Sequence, residues 1–360
     1  MKILVIGPHE SPIIKRLVFN LKKKNHSVWL ASHNAEHHED IVDLGRLRNM
    51  VNFFEMRKIR RLVEEIQPDV VHAHVVNHYG LMSLAQPKPL VVALWGSEVM
   101  LAPHKGHFLK KALFKLINNL VLRRANQCHT SAVHVAEEAY KQFSGAKSKT
   151  SVFYWGFPLN EPSENDALKI AEDLYREFGL TKKRRYIVFP RGLDEIYNPK
   201  VAIEIIKKLL EKIDDPKRIV VLKGFCQKNK EEEFKKYVNI ENLTFIDRIL
   251  SSEELHFLYA NTVVHVSIPS SDSLGGGVVE PAILGSFAVL SNLPSYREYA
   301  LSNPSHVMNS FKPVEISNVA DIIFKLIEKN YMASIQGNYS GESIINKIEA
   351  VYQSAIKNHK

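Results

Sequence analysis

Short apolar runs that end at turn residues alternate along the chain with stretches whose apolar residues recur every three or four positions. Lys2–Ile6 is an apolar run that stops at Gly7-Pro8. Ile13, Leu17, Val18 and Leu21 follow at helical spacing, Asn25-His26 interrupts them, and Ser27–Ala31 is apolar again. This predicts a βαβ opening. Val70–Ala73, Leu90–Leu94 and Gln127–Thr130 predict further buried strands, with helical segments between them. The rhythm restarts near residue 186. Tyr186–Phe189, Ile219–Leu222, Leu243–Ile246, Val263–Val266 and Phe287–Leu290 read as strands. Pro199–Ile213, a charged stretch at 229–237, Ser252–Tyr259 and 278–284 read as helices, the third with Ser251-Ser252-Glu253-Glu254 at its start.

Such alternation predicts an α/β protein with parallel sheets covered on both faces. Two sets of elements predict two Rossmann-like domains. Residues 156–184 separate them, with Pro158, Pro162 and a helix expected at 166–178. The first domain is placed at 1–155 and the second at 156–341. Two such domains facing one another would leave a cleft at their strand C-terminal ends, where open α/β sheets bind ligands. Fold alone names no reaction.

Composition narrows the class. The 360 residues fit two domains of ordinary size, and 45% apolar with 24% charged residues is a globular balance that excludes disorder. Two cysteines, Cys128 and Cys226, exclude a disulfide framework and a cysteine zinc cluster, and fit a reducing compartment. No apolar run reaches the ~18 residues of a membrane span, and the apolar start is too short for a signal peptide. The expectation is a cytoplasmic protein, at most peripheral on the inner face of a membrane. The charge is uneven. Residues 1–150 hold 22 Lys and Arg against 12 Asp and Glu, a net of +10, although the whole chain carries +9. The first half therefore expects an anionic partner. In 107–124, Phe108, Leu109, Ala112, Leu113, Leu116, Ile117, Leu120 and Val121 form an apolar stripe, with Lys110, Lys111, Lys115, Arg123 and Arg124 mostly off it. The stripe is expected to cover the sheet and the basic face to meet solvent or anionic lipid.

The most informative segment runs from Ser267 to Glu280 and contains Pro269-Ser270-Ser271-Asp272-Ser273-Leu274-Gly275-Gly276-Gly277. A strand ends, three glycines let backbone approach a ligand, and a helix begins with free amides that favour an anion or hydroxyls. Asp272 and Glu280 frame this turn. The segment resembles the donor-site signature of retaining glycosyltransferases of the GT-B architecture, family 4 (group 1). Ala282, Gly285, Val289-Leu290 and Glu298 fit the same resemblance, as do Gln67–His74, Leu94–Glu98 and Tyr154–Phe157.

The resemblance implies that Glu280 binds the ribose of a UDP- or GDP-linked sugar. It places Asp272, where the family usually has Glu, beside the sugar, with Ser273 and the Gly275, Gly276 and Gly277 amides nearby. Arg191, in Phe189-Pro190-Arg191-Gly192, matches the arginine that contacts the donor diphosphate. The usual Lys about five residues later is Ile196 here, leaving Lys200 or Lys223 as the second phosphate cation. Base recognition falls around Asp247–Leu250, with Arg248 as a donor-binding candidate. Family chemistry is a front-face attack in which the acceptor hydroxyl passes its proton to the leaving phosphate. It needs no side-chain nucleophile, cofactor or metal, and the nucleotide sugar is the co-substrate. The sequence has no Asp-x-Asp, and His33, His37 and His38 sit in a polar loop without a fourth ligand.

The first domain would carry the acceptor. His9 follows the first strand in a loop poorer in glycine than the family's, His72 and His74 share one face of a strand, and Trp95 stands where the family often has a histidine. Trp95 is expected to stack on a sugar and Glu98 to meet acceptor hydroxyls. A final helix at about 342–360 is expected to cross back onto this domain, as in the family. The leading reading is transfer of a hexose or N-acetylhexosamine to a glycan or lipid-linked acceptor in cell-surface polysaccharide or glycoconjugate synthesis. The alternatives are another GT-B enzyme, such as a nucleotide-sugar epimerase or a DNA glucosyltransferase, or a non-catalytic sugar-nucleotide-binding protein. Nothing in the sequence resembles a nucleic-acid-binding motif.

Overall fold

The computed structural model describes residues 1–359 apart from 37–39, 47–52, 183–185, 225–231, 233, 235–242 and 337–338. The chain forms two compact units, Met1–Phe157 with Tyr339–Lys360, and Pro158–Asn338. The charged stretch expected as a helix at 229–237 falls largely outside the described residues, as do His37, His38 and Cys226.

Among the described residues the first unit holds one sheet of seven parallel strands. They are β1 (Lys2–Ile6), β2 (Ser27–Ser32), β3 (Ile41–Asp43), β4 (Val70–His74), β5 (Leu90–Leu94), β6 (Gln127–Thr130) and β7 (Thr150–Val152). Their order is β3-β2-β1-β4-β5-β6-β7. Side chains alternate across a strand, so both faces of a buried strand must find apolar cover. Leu4 and Ile6 enter one core with Val71, Ala73 and Val121, whereas Ile3 and Val5 enter another with Ile344, Ile348 and Tyr352. The second core is supplied in part by the last helix, Gly341–Lys357, which belongs to this unit.

The second unit repeats the plan with β8 (Tyr186–Phe189), β9 (Ile219–Leu222), β10 (Thr244–Ile246), β11 (Thr262–Ser267), β12 (Phe287–Ser291) and β13 (Ser305–Met308). Their order is β10-β9-β8-β11-β12-β13, again all parallel. One face packs Ile187, Phe189 and Val221 on helices Pro199–Leu210 and Pro313–Glu328. The other packs Tyr186, Val188 and Val220 on Leu174, Phe257 and Leu258. Ser251 and Glu254 close a reciprocal cap on helix Ser252–Ala260, satisfying amides that would otherwise lack partners.

Two features depart from the sequence reading. Strands β3, β7 and β13 were not anticipated, because each is a three- or four-residue sheet edge that carries no periodic signal. The stripe on helix Phe108–Arg124 does not cover the sheet as a whole. Phe114, Ile117, Asn118, Val121 and Leu122 face inward, whereas Phe108, Leu109, Leu113, Leu116 and Leu120 are exposed. Apolar residues lie on both sides of this helix, so sequence periodicity could not select the buried one.

Ile348 is 1% exposed and touches the core shared by β1 and the last helix. Ile348→Ala should lower unfolding free energy by about 2–5 kcal/mol in urea titrations, by lost transfer energy plus a cavity. A change below about 0.5 kcal/mol would show that the helix does not complete this core.

Candidate active site

In each sheet the chain winds outward from the middle in both directions. The loops leaving the two central strands therefore part and open a crevice at the strand C-terminal ends. In the second unit these strands are β8 and β11. Their loops are tied together. The Asn198 side-chain amide donates to the Ile268 carbonyl at 2.7 Å, and the Ser270 amide to the Ile196 carbonyl at 2.7 Å.

Arg191 leaves the end of β8 and meets Asp272 of the other loop, Nη2 to Oδ1 at 3.2 Å, with both side chains largely buried. The second carboxylate oxygen accepts from the Tyr296 hydroxyl at 2.7 Å and from the Gly275 amide at 3.0 Å. Since the Tyr296 proton is committed to Asp272, Ser267, 3.0 Å away, donates to Tyr296. The Tyr197 ring lies 4.9 Å from the guanidinium. Burial opposes the charge of Arg191, but Asp272, with Tyr296 and Tyr197 behind it, outweighs burial and raises its pKa. Burial and then Asp272 hold the Tyr296 hydroxyl well above its ordinary range, so it remains a donor. The Nε of Arg191 is buried with no hydrogen-bond partner. The guanidinium is thus fixed, cationic and left with a donor unspent.

The glycine turn follows from this crowding. A Cβ on Gly277 would lie 2.9 Å from Arg191 Cδ, and one on Gly276 2.5 Å from Glu280 Oε1. Leu274 just before them has φ +66°, a costly conformation for a branched residue that the surrounding bonds must hold. Glu280, 7% exposed, lies in helix Gly276–Ile283. Arg191 and Glu280 therefore flank successive glycines of one turn, beside a helix start with no side-chain cap from its N-cap residue. A pocket beneath Arg191 is walled by Phe189, Leu193, Tyr197 and Ile268, and Asp272 and Glu280 stand outside it.

In the first unit the central strands are β1 and β4. A Cβ on Gly7, just after β1, would lie 3.2 Å from His74 Cβ at the end of β4. Val75 follows with φ +66°, at the start of one π-helical turn, Val75–Gly80. A β-branched residue there is strained. His74 Nδ1 accepts from the Trp95 indole at 3.3 Å. His72 lies 2.8 Å from the Tyr352 hydroxyl and 2.9 Å from His129 Nε2. Burial, then neighbouring histidines, hold His72 and His74 well below their ordinary pKa, and burial lowers His129 to about 3. All three are neutral at pH 7.

A family model described as glycosyl transferase 4-like matches residues 2–130, and one described as glycosyl transferases group 1 matches residues 171–342. The chain belongs to the group 1 glycosyltransferases. No curated protein matches it. Among solved structures, HepE from Anabaena in complex with UDP and glucose is similar at 15% identity and TM-score 0.69, covering 98% of this chain and 100% of that one. Sucrose-phosphate synthase from Thermosynechococcus elongatus is similar at 11% identity and TM-score 0.68, covering 99% of each chain. A UDP-forming trehalose-phosphate synthase from Burkholderia xenovorans is similar at 9% identity and TM-score 0.63, covering 98% of each. These likenesses carry the GT-B fold.

The glycosyltransferase gathers Arg191, Asp272, Gly275, Gly276, Gly277 and Glu280 around one turn, with Ser273 in the same loop. Lys200 is exposed in the first turn of helix Pro199–Leu210, and Lys223 follows β9 with its carbonyl 3.2 Å from a Cβ on Gly192. Arg248 is occupied elsewhere. Its guanidinium is bound by Glu177 and Glu254, each at 2.7 Å, and packs on Phe178, joining two helices. His9 is buried on Ser32, with its amide 3.0 Å and its Nδ1 2.9 Å from that hydroxyl. Trp95 is half-buried and packs edge-on against His74 and Trp155. Glu98 is 3% exposed and accepts from the Trp95 amide at 2.6 Å, so it shapes this turn from inside. His33 pairs with Glu55 at 3.3 Å, and among the described residues no group of three or more His, Cys, Asp or Glu is arranged to hold a metal ion. Sequence reasoning missed Tyr197, Tyr296 and Ser267. Tyr296 carries no local signal, because it reaches Asp272 from the helix after β12.

Burial raises the Glu98 carboxyl to about 6, against the amides of Glu98, Trp95, Gly96 and Val76. The folded enzyme keeps this proton at pH values where the unfolded chain has lost it. The associated stability is therefore complete below pH 4.5 and lost as pH rises through about 6. The buried histidines act oppositely, since acid protonates them in the unfolded chain first. Glu98→Gln isolates the carboxylate: relative to the variant, the wild type should lose about 2 kcal/mol in urea unfolding on going from pH 4.5 to neutrality. Parallel pH profiles would contradict this.

Proposed function

We propose that the protein is a retaining glycosyltransferase that moves a hexose or N-acetylhexosamine from a UDP- or GDP-linked sugar to a glycan or lipid-linked acceptor, in polysaccharide or glycoconjugate synthesis. The observation that carries this reading is the placement of Arg191 and Glu280 on successive glycines of one turn at a topological switch point. Anabaena HepE is known in complex with UDP, with UDP-glucose, and with UDP and glucose together, which makes UDP-glucose the first donor to test.

In this reading the diphosphate takes the fixed guanidinium of Arg191 and the amides at the start of helix Gly276–Ile283. Glu280 accepts from the ribose hydroxyls. As the glycosidic bond breaks, the leaving phosphate gains charge, and a guanidinium already fixed by Asp272 stabilises it without reorganising. The acceptor hydroxyl attacks from the side of the departing phosphate and passes its proton to a phosphate oxygen, so the anomeric configuration is kept. Asp272, with both oxygens occupied, acts on Arg191 and on the turn. No resident cofactor takes part. A cytoplasmic site of action at the inner face of a membrane accords with a lipid-linked acceptor.

A thermal-shift series with UDP, GDP and their sugars tests the donor side. At a hundredfold excess over Kd the matching nucleotide should add about 2.7 kcal/mol. Glu280→Gln should weaken binding by about 10–100-fold, the worth of hydrogen bonds to a charged group. NMR of the product's anomeric proton reads the stereochemistry. Absence of any nucleotide shift removes the donor reading, inversion removes the retaining one, and binding without transfer favours a non-catalytic sugar-nucleotide protein.

A further inference from the structure

Helix Phe108–Arg124 is apolar in two directions. Inward, Val121 reaches to 2.9 Å from the position of a Cβ on Gly80, and the Asn118 side chain donates to the Glu98 carbonyl at 2.9 Å. This seats the helix against the π-helical turn after β4 and the turn after β5. Outward, Leu109, Leu113, Leu116 and Leu120 are spaced by four, three and four residues, which aligns them along one side of a helix. Phe108 and Leu116 are 68% and 57% exposed, and the other three at least 43%. Single exposed leucines are ordinary, but four aligned leucines with Phe108 exposed at the same end form a surface of the kind that marks an interaction site.

The polar residues beside this line define the partner. Lys110, Lys115 and Arg123 are exposed on the same helix, which has 17 residues and contains no Asp or Glu. Two nearby cations are excluded, because they bond inside the protein. Arg124 donates to the Gln86 and Lys88 carbonyls, and Lys149 to those of Arg123 and Ala125. The leucine spacing would also suit pairing with a second copy. That pairing would set lysine against lysine, with no acid on either helix to meet them. An anionic bilayer satisfies both features at once: leucines enter the headgroup–acyl boundary while cations stay among the headgroups. Among the described residues no helix is long and apolar enough to cross a membrane, so this one lies on the surface.

We infer that the outer side of helix Phe108–Arg124 is a docking surface for an anionic lipid bilayer. It deepens the acceptor side of the proposed function and rests on that reading for its purpose, because it brings the turns after β4 and β5 to the place where a lipid-linked acceptor resides. Its physical test is independent of transfer.

The full chain is sedimented with vesicles of phosphatidylcholine alone and with vesicles that also contain phosphatidylglycerol, at low and physiological salt. Binding should require phosphatidylglycerol and weaken with salt. Leu113→Gln and Leu116→Gln should each weaken it by about tenfold, and Lys110→Gln and Lys115→Gln by about fivefold each. All four positions are exposed, so the melting temperature and its response to nucleotide should not change. No binding to phosphatidylglycerol vesicles at low salt would overturn the inference, as would binding indifferent to both leucine variants. A wild-type dimer in light scattering that the leucine variants dissociate would assign the surface to a second copy instead. A nucleotide shift without vesicle binding sinks the docking surface alone, and vesicle binding without a nucleotide shift sinks the donor reading alone.

Discussion

A largely buried ion pair between Arg191 and Asp272 organises the second unit's switch point. Taking two charges out of water is costly, and the cost is offset only where further hydrogen bonds complete both partners. Asp272 is completed by Tyr296 and the Gly275 amide, whereas Arg191 is not, since its Nε is left without a partner. This asymmetry gives the site its character. The carboxylate is spent on the protein, and the cation is held in place with capacity to spare. Gly277 is then fixed by packing, because a side chain there would strike Arg191, which Asp272 holds in place, and one at Gly276 would displace the Glu280 carboxylate. Strain at Leu274 belongs to the same turn and is sustained by bonds from Tyr296 and Ser295 to Asp272.

The first unit uses a related plan with different chemistry. Val75, like Leu274, holds a positive φ in the loop that follows a central strand. Around it a neutral aromatic network, His72, His74, His129, Trp95 and Trp155, fixes the strand ends and connects through Tyr352 to the last helix. A residue 280 positions from His72 therefore sets the geometry of this end of the sheet. The network presents polar rings without charge at neutral pH, which contrasts with the basic helix Phe108–Arg124 nearby.

Much of this was legible in the sequence, for identifiable reasons. The central strands are buried on both faces, so they appear as plain apolar runs, and β1, β5, β8 and β9 stand where those runs lie. Edge strands such as Ile41–Asp43 are short and half-buried and left no mark. Arg191, the glycine turn and Glu280 were visible because they lie within two contiguous segments. Tyr296 was invisible because its role arises only when separate βα units meet. Arg248 and Glu98 show the opposite failure. Each is a charged residue near a strand end, and the fold engages each internally, with Glu177 and Glu254 in one case and the Trp95 amide in the other. The helix Phe108–Arg124 shows that period alone cannot choose between two apolar sides.

The central claim is that Arg191 meets the diphosphate while Glu280 meets the pentose. The affinity ratio of UDP to UMP, measured by calorimetry on wild type, Arg191→Gln and Glu280→Gln, tests it most directly. The two ligands share base and ribose and differ by one phosphate. The wild type should favour UDP by about tenfold or more, Arg191→Gln should remove most of that preference, and Glu280→Gln should weaken both ligands alike. A UDP preference that survives in Arg191→Gln, or that collapses in Glu280→Gln instead, would contradict the account.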